Sequence, residues 1–139
     1  MTSWPGRERR RYRRVPVRMA LETEVGKERR PAQMETFNMS AGGFSCRLER
    51  CIEPLTLLRL GVSFPSFGEY KDGPHEVDCT AVVVRCDPWP HDEKGGFELA
   101  AAFTWIRPED RELLAAYLNW YERIYLMPDE EASGRAQAL

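Results

Sequence analysis

The 139-residue chain is poor in the groups from which catalytic sites are assembled. It has two histidines, His75 and His91, and each directly follows a proline. Neither has a serine or cysteine placed to form a nucleophile–base pair. The Gly-x-x-x-x-Gly-Lys-Ser/Thr phosphate cradle is absent. No catalytic residue is therefore expected, and the chain reads as a non-enzyme. Cysteine is also sparse: Cys46, Cys51, Cys79 and Cys86, with no Cys-x-x-Cys pair. That spacing does not describe a zinc site. The four read as small buried apolar residues in a reducing compartment, with no metal. No apolar run reaches the ~18 residues of a membrane span. The start, Met1-Thr2-Ser3-Trp4-Pro5, leads into arginines and not into the apolar stretch of a secretory signal. A cytoplasmic protein with no membrane insertion is the expectation.

The composition itself, 42% hydrophobic and 30% charged, fits one folded domain. Charge is uneven along it. Residues 7–14 read R-E-R-R-R-Y-R-R, so the net charge of −2 divides into +5 on this segment and −7 elsewhere. A basic arm on an acidic body requires a reason.

Residues 1–14 show no hydrophobic period and read as a flexible arginine-rich arm, with Trp4 and Tyr12 able to dock. From Val15 to Val25, Val15, Val17, Met19, Leu21, Thr23 and Val25 alternate with outward residues, the period of a half-buried strand. Residues 27–32 form a polar turn. A second strand covers Met34 to Asn38, anchored by Phe37, and Ser40 to Gly43 makes a tight turn. Further strands cover Phe44 to Leu48, Leu55 to Phe64, Val77 to Cys86 and Phe97 to Phe103. Residues 65–75 and 88–95 read as polar loops. The period then changes. Pro108-Glu109-Asp110 opens a helix, with proline at its first turn and acids at the positive end of its dipole. Leu113, Leu114, Tyr117, Leu118, Tyr121, Ile124 and Tyr125 form one apolar face ending near Leu126. Pro128 stops the helix, and residues 127–139 read as a disordered tail. Six short strands and one helix predict an all-β fold over 15–126: a six-stranded antiparallel β-barrel with a C-terminal capping α-helix.

Two segments carry candidate binding chemistry. Arg9, Arg10 and Arg14 offer planar, permanently charged forks that suit phosphate and stack on bases. By composition alone, a solvated or generic nucleic-acid-binding tail is the favoured reading of such an arm. The second segment is Asn38-Met39-Ser40-Ala41-Gly42-Gly43. Asn38 can pair with a guanine edge, Ser40 can meet a phosphate or order the turn, and Gly42 and Gly43 leave the main chain open. The same residues make ordinary turns for conformational reasons.

Taken together, Arg-x-x-x-Arg before the first strand and Asn-x-Ser-x-x-Gly between the second and third resemble the PilZ domain family. R-R-R-Y-R-R-V-P-V is similar to its arm and first strand. N-M-S-A-G-G-F-S-C is similar to its second motif, with Asn38 where many members carry aspartate. G-F-E-L-A-A-A-F followed by R-P-E-D-R-E-L-L is similar to its last strand and helix. The resemblance covers roughly residues 7–125. It implies a receptor for the second messenger cyclic di-GMP. Arg10 and Arg14 would hold phosphates and guanines, Asn38 and Ser40 would contact the nucleotide, and Gly43 would shape the turn. Arg9 stands where an arginine accompanies a stacked pair of ligand molecules. Arg11 and Arg13 would add phosphate contacts or remain solvated. Ala100-Ala101-Ala102 replaces a stretch where many members have a glycine near the ligand. The implied mechanism is closure of the arm over the nucleotide, exposing a new surface to an unidentified downstream protein. The alternatives are a PilZ-like adaptor that binds no nucleotide and a polyanion binder using the arm alone; the favoured reading takes no nucleic-acid polymer as partner.

Overall fold

The computed structural model describes residues 12–89 and 95–126. Six strands form: β1 (Ala20–Val25), β2 (Arg30–Ser40), β3 (Gly43–Leu48), β4 (Leu57–Phe64), β5 (His75–Pro88) and β6 (Phe97–Ile106). They close into an antiparallel barrel in the order β1-β2-β3-β6-β5-β4. Alternation explains the core. Leu21 and Val25 of β1, Leu58, Leu60 and Val62 of β4, and Val77, Cys79, Ala81 and Val83 of β5 all point inward. The register keeps them in layers: Leu21 faces Met34 on one side and Val62 on the other.

The first predicted strand is shorter than its pattern. Val15, Val17 and Met19 are buried in alternation, yet regular pairing with β2 begins only at Ala20. Pro16 has no N–H to give to a ladder. The buried Thr36 side chain supplies the missing partners. Its hydroxyl accepts the Met19 N–H at 2.9 Å and donates to the Val17 carbonyl at 2.7 Å. β2 is longer than predicted, because the β1–β2 turn closes at Gly26 to Arg29, two residues that take positive φ. Phe37 is not the inward anchor. The register slips between Thr36 and Asn38, a bulge that leaves Phe37 half-buried and edge-on to Trp89 at 5.2 Å.

The stretch 65–75 is not simply a polar loop. Phe67, 5% exposed, packs among Phe64, Tyr70, Tyr117 and Trp120 with ring centroids 4.9–6.1 Å apart. This cluster seats the helix α1 (Pro108–Tyr121), whose Leu114, Tyr117 and Leu118 join the core. Tyr117 stacks on Phe64 at 4.7 Å. Arg107 precedes the helix without a side-chain cap, as the sequence indicates. Beyond Tyr121 the chain widens into a π-helical turn, Glu122–Leu126. The i→i+5 spacing rotates Ile124 and Tyr125 off the buried stripe, so both are exposed, against expectation.

The cysteines divide. Burial pushes the thiols of Cys46 and Cys79 up to about 12, so both behave as inert apolar groups. Cys51 is exposed, against expectation, because it lies in the β3–β4 connection and not on a strand. Burial, and next a hydrogen bond with Cys51, push the half-buried Cys86 thiol up to about 11.

Candidate functional site

The β2–β3 turn is fixed from within. The Ser40 hydroxyl accepts the Gly42 N–H at 3.0 Å, a local bond that closes the bend. Gly42 accepts the Phe103 N–H at 2.9 Å, tying the turn to β6. A β-carbon at Gly43 would collide with the Ala101 carbonyl oxygen. The room left by Gly43 is thus taken by β6, whose Ala102 is its register partner, and not by space for a ligand. Of the two roles the sequence offers Ser40, ordering the turn is the one its geometry displays.

The arm meets this turn. Val15 and Met39 exchange both backbone hydrogen bonds, at 2.8 and 2.9 Å. An antiparallel bridge at Val15 puts Arg14 alongside Ser40 and Pro16 alongside Asn38. Arg14 is exposed and Asn38 is half-buried. The structure therefore brings together Arg14, Asn38, Ser40, Gly42 and Gly43. Arg9 and Arg10 lie outside the described residues. Two grooves on the barrel wall lie elsewhere, one bordered by Gly26, Ile52 and Leu57 and the other by Glu22, Gly61, Asp78 and Trp105.

Three neighbours escaped the sequence reading. The Tyr12 ring lies on Gly42, where a β-carbon would stand 2.9 Å from its Cδ2. Arg111 of α1 donates to the Tyr12 hydroxyl at 3.0 Å and sits over the ring, 5.4 Å from its centroid. Arg13 donates through Nε to Glu122 at 3.0 Å. Tyr12 carried a hint, as an aromatic able to dock within a charged run. Arg111 and Glu122 carried none, because their partners stand 99 and 109 residues away in sequence.

Chemically, the site combines an exposed guanidinium, an amide and a backbone turn at one rim of a closed barrel. Guanidinium, amide and backbone N–H groups are donors of the kind that can accept an anion. Among the described residues, no group of His, Cys, Asp and Glu is placed to hold a metal ion, and no helix is long and apolar enough to cross a membrane.

A family profile described as the PilZ domain matches residues 8–120. The chain belongs to the PilZ domain family. Among solved structures it is similar to the inhibitor of motility MotI/DgrA of Bacillus subtilis, with 22% identity and a TM-score of 0.66 over 78% of this chain and 49% of that one. The chain thus spans about half the length of that protein. It is also similar to the PilZ domain of YcgR from Escherichia coli, solved with c-di-GMP, with 17% identity and a TM-score of 0.56 over 94% of this chain and 99% of that one. These likenesses agree with the six-stranded barrel and its C-terminal helix. No curated protein matches the sequence.

Proposed function

We propose that this chain is a receptor for cyclic di-GMP and not an enzyme. The observation that carries the proposal is the Val15–Met39 bridge, which sets Arg14 against the Asn38–Gly43 turn. Membership of the PilZ family and the c-di-GMP held by the similar YcgR domain support the choice of ligand. Arg14 clasps one phosphate, Asn38 pairs with a guanine edge, and Ser40 with Gly42 and Gly43 holds the turn in shape. Arg10 closes on the ligand from the leader, and Arg9 adds contacts to a second, stacked nucleotide. Closure orders the leader and presents its outer surface to a downstream protein.

Ordering the leader costs on the order of 1–2 kcal/mol per residue. Each charge-assisted bond returns roughly 1.5–3 kcal/mol, so losing one arginine is severe. Calorimetric titration with cyclic di-GMP is expected to give two ligands per chain, with Arg14→Ala at least roughly tenfold weaker. Unchanged affinity in Arg14→Ala would remove the clasp from the proposal. A nucleotide-free adaptor is the competing reading, and a thermal shift separates the two, since a bound ligand stabilises the folded state.

A further inference from the structure

The leader is joined to the C-terminal helix as well as to the barrel. Glu122 is 9% exposed, an unusual position for an acid. It opens the π-helical turn, and its side-chain partner among the described residues is Arg13. Next along the chain, Tyr12 lies between Gly42 of the turn and Arg111 of α1. Successive residues 12, 13 and 14 thus face three parts of the molecule: the motif turn, the helix end and solvent.

We infer that Glu122 is a positioning residue for nucleotide binding: by holding Arg13 it sets the root of the leader so that Arg14 stands alongside the turn with its side chain open to a ligand, and it carries the state of that root to the helix end. The inference rests on the cyclic di-GMP reading above. A nearly buried carboxylate that loses its cation is left poorly solvated, so Glu122 and Arg13 move together. A π turn is a local departure from the regular helix ladder and is often found at functional sites. A shift of Arg13 on ligand binding therefore bears on the turn that also carries the exposed Ile124, Tyr125 and Leu126. Arg111 reinforces the link, because its guanidinium follows the Tyr12 ring. Arg13 is thereby assigned to the helix and not to a phosphate.

The test combines calorimetry with hydrogen exchange on the full chain, using cyclic di-GMP as the probe. In the wild type, ligand is expected to slow exchange in residues 12–15 and in 117–126. Glu122→Gln should bind roughly three- to tenfold more weakly, since one charged partner of an ordered contact is lost. Its exchange in 117–126 should no longer respond to ligand, while 38–43 still does. Arg13→Glu and Glu122→Arg should each reproduce this loss, and the double exchange of the two charges should restore both affinity and the helix response. A role in stability alone would not give reciprocal rescue. Wild-type binding that leaves 117–126 unchanged, or a double variant no better than the singles, overturns the inference and leaves the receptor reading intact. Absence of wild-type binding overturns both.

Discussion

Thr36→Val is the most discriminating perturbation of the surface where leader and barrel meet. Valine keeps the branched shape of threonine, so the side chain, 1% exposed, is replaced without a cavity. Only the hydroxyl is lost, and with it the two side-chain bonds from Thr36 to Val17 and Met19, while the backbone bond from the Thr36 N–H to the Met19 carbonyl stays. The Met19 N–H and the Val17 carbonyl then stand buried and unsatisfied. Each orphaned group costs about 1–3 kcal/mol. Packing relaxation recovers part of this, which leaves a destabilisation of about 2–4 kcal/mol. For a domain of this length that corresponds to a fall in Tm on the order of 10 °C. Urea unfolding at constant m-value, with Thr36→Ser alongside, is the appropriate assay. Serine retains the hydroxyl and should lose only about 1 kcal/mol for the missing methyl. Because the fastened stretch leads directly into Arg14, Thr36→Val should also weaken nucleotide binding, whereas Thr36→Ser should not. Stability of Thr36→Val within 0.5 kcal/mol of wild type, on the scale of exposed substitutions, would refute the reasoning that this hydroxyl replaces a strand ladder.

Gly43→Ala should destabilise by about 2–3 kcal/mol, because its methyl meets the Ala101 carbonyl and must push β3 away from β6; denaturant titration measures this. Phe67→Ala should cost about 3–5 kcal/mol, the range for a buried aromatic, and should shift the near-ultraviolet dichroism of Trp120; a small change would return the 65–75 segment to an ordinary surface loop. Stability should fall as pH rises above about 9. The folded state keeps the Cys46 and Cys79 thiols protonated up to about 12, while the unfolded chain ionises them near its ordinary 9.0. Their contribution is whole below that ordinary value and lost between the two, so Cys46→Ala should flatten the alkaline limb of a Tm–pH curve.

Much of the architecture was legible because hydrophobic period is a local property. The alternations in β4 and β5 and the change to helical spacing at Pro108 need no tertiary knowledge. Errors arose where one local group overrode the period. Pro16 and the Thr36 hydroxyl interrupt what reads as a single strand, and the bulge at Phe37 turns a presumed core anchor sideways. Phe67 sits in a segment of glycine, proline and charge, where no period exists to mark a buried ring. Ile124 and Tyr125 were misplaced because helical spacing was extended through a turn of different pitch. At the candidate site, Arg14, Asn38, Ser40 and the glycines are singled out by motif, since each has a distinctive residue type at a fixed offset. Glu122 and Arg111 look like any solvated charge on a helix. Only the closure of the fold sets them beside residues 12 and 13.

A closed barrel ordinarily offers no unpaired strand, yet this one conceals half of one. β1 pairs with β2 only as far as Glu35, and the rest of that flank, from Thr36 to Met39, is covered by residues 15–19. The root of the leader is therefore also a seal. Peeling it past Val15 would bare main-chain donors and acceptors that invite a foreign strand. A movement of residues 12–14 that leaves this flank covered must therefore pivot ahead of Val15.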